Sequence, residues 1–263
     1  MVLTLIDMNI FVFDIETVPD VEAGRKLYEL EDLDDDNVGR VMFHKRAAES
    51  GGSEFLRHHL HRIVAISIVL RTREHFKVWS LGDPDSPEEE LLQRFFDGID
   101  RYTPTLVSWN GSGFDLPVIH YRSLLHGVAA PRYWDTGSED KNFKWNNYLS
   151  RFHERHTDVM DVLAGYQPRA TAKLDQIATM LGFPGKMGMD GSKVWDNFQA
   201  GDIEGIRNYC ETDVLSTYLV YQRFELIRGH ISESGYEQVC EQVRTELAAE
   251  NKPHLDEFLQ NWQ

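Results

Sequence analysis

Near the start of the chain, Phe11-Val12-Phe13-Asp14-Ile15-Glu16-Thr17 joins an apolar run to two acids, and this junction constrains the rest more than any other stretch. Asn9 to Phe13 has the make-up of a buried strand. Side chains two apart in a strand point to the same face, so Asp14 and Glu16 project together from its end. Two neighbouring carboxylates taken out of water are costly unless a cation offsets them. Either this strand end is solvated, or a hard divalent cation sits there, since oxygen ligands suit Mg²⁺ and Mn²⁺.

The bulk properties narrow the choice. The 263 residues suffice for one large domain, or one domain with appendages. A hydrophobic content of 41% with 11% aromatics supplies a packed core. Lys and Arg number 27 against 43 Asp and Glu, a formal net charge of −16. That balance argues against a protein that coats long nucleic acid. It leaves room for an enzyme that grips a few phosphates through metal ions. The two cysteines, Cys210 and Cys240, make neither a disulfide framework nor a zinc spacing. With no basic leader and no long apolar run, the chain reads as soluble and cytoplasmic.

Along the chain, a polar insertion spans roughly residues 20–60. Its acidic half reads as a solvated face, and its basic half could help hold an anion. His58, His59 and His61 are a weak metal cluster lacking a fourth partner. Ile63 to Leu70 is a central strand, with Glu74 to Ser80 as its antiparallel hairpin partner. Ser86 is placed to cap a helix with Pro87 at its first position. A strand from Thr105 to Trp109 runs through the Asn110-Gly111-Ser112-Gly113 turn into a helix from about Asp115 to His126. Residues 157–163 form a short strand or loop. Helices are expected near 172–181, 203–228 and 234–250, with a last short one after Pro253. Strands dominate the first half and helices the second, which makes an α/β domain on a mixed sheet with a helical C-terminal cover.

Two more acids sit where they could join the first pair. Asp115 directly follows a strand-ending turn, the usual ligand position in open α/β sheets, although it could simply cap its helix. Tyr209 and Asp213, four apart, stack on one face of the long helix, where Asp213 is either a surface acid or a buried one that needs a partner. Asp14, Glu16, Asp115 and Asp213 together offer the converging carboxylates that a two-metal phosphodiesterase requires.

These stretches resemble, in order, the three motifs of the DEDD superfamily of 3′→5′ exonucleases: Asp14-Ile15-Glu16-Thr17, Asn110-x-x-x-Phe114-Asp115 and Tyr209-x-x-x-Asp213. The third is similar to the tyrosine branch, as in the proofreading domains of family-B polymerases. The histidine branch would place His where this chain has Asn208. The resemblance spans roughly residues 9–228 and implies a ribonuclease H-like fold over residues 1–230, with 231–263 as a helical extension packed on it.

The resemblance also implies roles. Asp14, Glu16, Asp115 and Asp213 would hold two Mg²⁺ or Mn²⁺ ions, and Tyr209 would orient the attacking water. Thr17 and Asn110 would position the terminal nucleotide, and Phe114 would pack on its sugar or base unless it is a core residue under the turn. Asp158 and Asp161 are candidates to support the site from behind, and Lys186, Asp190, Ser192 and Lys193 on the glycine-rich loop could reach substrate. The expected substrate is a 3′ end of single-stranded DNA, with an exoribonuclease as the alternative and a non-catalytic nucleic-acid-binding module as a distant third. No polymerase region is evident, so any repair role would act in trans.

Overall fold

A five-stranded mixed sheet forms the centre of the protein in a computed structural model that describes residues 9–185 and 187–263. The strands β1 (Ile10–Pro19), β2 (His61–Arg71), β3 (Phe76–Ser80), β4 (Thr105–Ser108) and β5 (His156–Asp158) lie in the order β3-β2-β1-β4-β5. β1 runs antiparallel to β2 and parallel to β4; β3 is antiparallel to β2, and β5 parallel to β4. This is the expected α/β arrangement of the ribonuclease H-like type.

The alternation of β1 builds two cores. Phe11, Phe13 and Ile15 enter one hydrophobic cluster with Leu92, Phe95 and Ile99, while Ile10 and Val12 enter the other. The first cluster is closed by α3 (Glu88–Tyr102) and α4 (Asp115–His126). The second is closed by the long helix α9 (Ile203–Ile227) through Val214, Leu215, Tyr218 and Leu219. Asp14 and Glu16 share the even-numbered face with Ile10 and Val12, so β1 aims both acids at α9. A register shift between Glu16 and Thr17 then breaks the alternation.

The C-terminal helices α10 (Glu233–Glu250) and α11 (Pro253–Asn261) add Tyr236, Val243, Leu247, Leu255 and Phe258 to the second core. Buried Glu211 of α9 ties them down. It accepts a hydrogen bond from Ser80 N at 2.9 Å and pairs with Lys252 at 3.3 Å and His254 at 2.8 Å.

The insertion is more ordered than its polar composition suggests. Asp20 and Asp34 cap α1 (Val21–Tyr28) and α2 (Asp35–Ser50), and Val38 and Met42, one helical turn apart, close a small core with Val21, Leu56 and Leu60. The acidic run is largely exposed, as read from its composition, with Asp34 capping α2 and Asp35 and Asp36 making surface ion pairs with Arg25 and Arg40. Buried Arg122 of α4 joins Asp20 to Glu88, which also accepts from Ile63 N at 2.6 Å. The insertion is therefore bolted to the main sheet.

The Ser86 cap is not formed. α3 starts at Glu88 with Pro87 in the cap position, because the Ser86 hydroxyl already accepts from Asp83 N at 2.9 Å. Residues 157–163 divide between the end of β5 and a short helix α6 (Val159–Leu163). Three more short helices fill connections: α5 (Pro131–Trp134), α7 (Leu174–Met180), where a helix is expected, and α8 (Val194–Gln199).

Candidate active site

The turn after β4 is the most tightly specified piece of backbone at the site. Asn110 adopts a left-handed conformation (φ 64°), which Asn tolerates better than most residues. Gly113 leaves room for the Asn110 side chain, and a Cβ at Gly111 would run into Ser108. Asp158, at the end of β5, grips this turn: one carboxylate oxygen accepts from Asn110 N at 3.0 Å and the other from Ser112 N at 2.9 Å. The turn delivers Asp115 as the first residue of α4, buried, its Oδ1 accepting from Ile15 N at 3.1 Å. Phe114, not Asp115, occupies the cap position.

Three separate elements thus present acids to one place. Asp14 and Glu16 come from β1, Asp115 from the start of α4 and Asp213 from α9, and each of Asp14 and Glu16 feels the charges of both Asp115 and Asp213. Burial, and then mutual repulsion, raises Asp14 and Glu16 well above the usual carboxylate range. Burial lifts Asp115 to about 7 and Asp213 to about 6. Such a cluster lacks positive charge. A cleft of about 520 Å³ opens onto it, lined by Asp14, Trp109, Asn110, Phe114, Asp115 and Asp213, among others. A second cleft of about 510 Å³ shares Lys173, Leu174 and Asp213 with the first and adds Tyr209, Asp190 and Ser192.

Asn110 and Phe114 line the cleft, and Asp190 and Ser192 of the glycine-rich loop border its extension. Lys193 is not among the residues that line either cleft, and Lys186 lies outside the described residues. Thr17 does not line either cleft. It follows the register shift, and its hydroxyl is engaged by His61 Nδ1 at 2.8 Å. The three histidines do not converge on a metal site. His58 contacts Gly113 O at 2.8 Å, His59 packs on Tyr121, and His61 lies edge-on to Phe114 with centroids 5.1 Å apart. His58 and His61 buttress the Asn110–Phe114 turn. Asp161 stays behind the site, its backbone N–H bonded to Asp158.

Two further residues belong to this site and carry little signal in the sequence. Cys210 is buried in α9, with its Sγ 3.5 Å from Asp14 Oδ2. Asp14, Glu16 and Cys210 are also the one group among the described residues whose ligand atoms approach closely enough to hold a metal ion. Lys173 is the single Lys or Arg lining the two clefts among the described residues. Only the helical spacing of Cys210 to Asp213, three residues apart on one face, could have pointed to the thiol.

The first two acids do not project from a strand end, as the sequence suggested: β1 continues past them to Pro19, paired with β2, and only its parallel neighbour β4 stops short, at the register of Val12. Acids gathered midway along the central strand of a mixed sheet, beside those of α4 and α9, suit divalent-metal chemistry on phosphates. The chain belongs to the family of predicted 3′-5′ exonucleases related to the exonuclease domain of PolB, whose sequence model matches residues 53–262. The match takes in Asp115, Tyr209 and Asp213, with Asp14 and Glu16 upstream of it. Among its relatives, the DNA polymerase epsilon catalytic subunit of Dictyostelium discoideum is 27% identical over 146 residues, 54% of this chain and 6% of that protein. The DNA polymerase of Archaeoglobus fulgidus is 23% identical over 171 residues, 64% of this chain and 20% of its own length. A 45-residue stretch, 17% of this chain, is 49% identical to the DNA polymerase epsilon catalytic subunit of Saccharomyces cerevisiae. The chain spans only 2% to 20% of the length of these relatives. Among the described residues no helix is long and apolar enough to cross a membrane.

Proposed function

We propose that the chain is a divalent-metal-dependent 3′→5′ exonuclease that hydrolyses the terminal phosphodiester of single-stranded DNA and releases nucleoside monophosphates. The observation that carries this reading is the meeting of four carboxylates from β1, α4 and α9, three of them (Asp14, Asp115 and Asp213) on the wall of one cleft and Glu16 beside them, in a chain of an exonuclease family.

The donor set suits two Mg²⁺ or Mn²⁺ ions, because hard carboxylate oxygens dominate it and their raised affinity for protons marks uncompensated negative charge. Asp14, Glu16, Asp115 and Asp213 would hold the ions, which would lower the pKa of the attacking water and offset the charge on the leaving 3′ oxygen. Tyr209 is kept protonated by burial and by the neighbouring Asp213 and Glu16, so it acts by orienting the water through its hydroxyl rather than as a base. Asn110 and Phe114, on the cleft wall, seat the terminal nucleotide. Lys173 offers its ammonium to the scissile phosphate. The relatives named above are DNA polymerases, which favours DNA over RNA as substrate.

Matched DNA and RNA oligonucleotides labelled at the 5′ end, incubated with and without Mn²⁺, test this reading. The expected product is a ladder that shortens from the 3′ end, faster for DNA, and absent in excess chelator. Cleavage that persists in chelator overturns the metal chemistry, and faster RNA decay overturns the substrate.

A further inference from the structure

A separate cavity of about 520 Å³ flanks the edge strand β5 and shares no lining residue with the acid cleft or its extension. Ser112, Arg151, Phe152, Asp158, Tyr166 and Arg228 are among the residues that shape it. Phe152 is 80% exposed and Tyr166 41% exposed, an unusual placement for aromatic rings in a folded chain. The Arg151 guanidinium lies 5.0 Å from the centroid of the Phe152 ring and 5.4 Å from that of Tyr166. The Tyr166 hydroxyl donates to the Arg151 carbonyl at 3.1 Å, which holds the group together. Earlier in the same loop, Lys144 sits 5.1 Å from the ring of Trp145, which is 77% exposed.

The cations here differ in availability. Arg228 is engaged by Glu154 and Glu225, both at 3.1 Å. Arg151 makes no ion pair among the described residues, and Asp161 feels its charge only at longer range. Its guanidinium is therefore open to an anion from solvent. That is notable in a chain of net charge −16, most of whose surface would repel phosphate. Exposed rings interleaved with an open cation match the two things a single strand offers, base faces and phosphates.

The groove also connects with the acid cleft. Asp158 holds Asn110, on the wall of the cleft, and Ser112, on the wall of the groove, through its two carboxylate oxygens. The two walls are one turn of backbone, separated by Gly111 alone. We propose that the Arg151–Phe152–Tyr166 groove is a subsite for single-stranded nucleic acid upstream of the 3′ terminus, with bases stacked on the rings and a phosphate on Arg151. This subsite rests on the nuclease reading above, since it gives the strand a path away from the acid cleft.

The test compares a short and a long oligothymidylate, about three and about twelve nucleotides, on wild type, Phe152→Ala, Arg151→Ala and Phe152→Trp. Binding is read by fluorescence anisotropy with Ca²⁺ in place of Mg²⁺, and turnover separately with Mg²⁺. Wild type should bind the long strand more tightly than the short one. Phe152→Ala should weaken binding of the long strand by about tenfold and leave binding of the short one unchanged, and Phe152→Trp should restore the gain. Arg151→Ala should also lower the slope of log Kd against log salt by about 0.7. Equal binding of both lengths by wild type, or a length gain untouched in Phe152→Ala, overturns the subsite. Absence of turnover on either strand by wild type overturns the nuclease reading instead, whatever the binding shows.

Discussion

The Cys210 Sγ lies 3.4 Å from the backbone carbonyl of Asp14 and 3.5 Å from its Oδ2, under the acid cluster. A thiol in that position adds a soft donor to a hard set, and soft cations prefer such sites. Cys210→Ala should retain most of the Mg²⁺-supported activity, yet raise the concentration of Cd²⁺ that inhibits it. Inhibition curves for the two proteins decide the matter. Identical Cd²⁺ sensitivity would mean that the thiol does not reach the ions.

Removing an acid should separate activity from stability. Asp213→Asn takes away one of four mutually repelling charges and keeps the shape of the side chain. Exonuclease activity should fall by about a hundredfold or more, the scale of losing one key electrostatic contact to a transition state. At neutral pH the metal-free variant should nevertheless be more stable than wild type, by about 1–2 kcal/mol, since a buried charge with a raised pKa is no longer forced to ionise. Melting curves in excess chelator measure this. A variant less stable than wild type would point to a structural role for Asp213.

The same cluster sets a pH dependence. In the unfolded chain these acids ionise near pH 4, whereas in the fold Asp213 is lifted to about 6 and Asp115 to about 7. Between about pH 4 and about pH 7 the folded apoprotein holds protons that the unfolded chain has released. This contribution to stability is therefore present at low pH and lost as pH rises through that window. A divalent cation binds the ionised form, so the gain in Tm on adding Mg²⁺ should be larger at about pH 7.5 than at about pH 5.5. A gain that does not change with pH would rule out the carboxylates as the binding site.

Asp158 should matter for stability and for the geometry of the cleft together. Asp158→Ala leaves Asn110 N and Ser112 N without their acceptor in a part-buried turn. The expected loss is about 2–4 kcal/mol, and a Tm about 5–10 °C lower. Because that turn also carries Asp115, turnover in the surviving folded protein should drop as well. Asp158→Asn keeps one acceptor oxygen and should lose less on both counts. Calorimetry and steady-state kinetics on the two variants give the ranking.

Much of this is legible in the chain itself. The period of two in β1 puts Asp14 with Glu16, and the period of the helix puts Tyr209 with Asp213, because both depend only on near neighbours along the backbone. The α/β order is legible for the same reason, since each strand and long helix carries its own apolar pattern. The insertion is less so. Its two helices rest on caps at Asp20 and Asp34 and on a small core closed by Leu56 and Leu60, which its overall polarity conceals.

What the sequence determined by itself, then, was local: which acids share a face, and which stretches are strand or helix. Tertiary structure alone decided which of those faces meet. The Cys210–Asp14 contact joins residues 196 apart, the Asp158 grip on Asn110 spans 48, and the Thr17–His61 bond spans 44. No periodicity reaches across such separations. Those contacts exist because burying both faces of β1 forces α9 against one of them and draws the β4 turn beside β5, and the chemistry of the cleft follows from that packing.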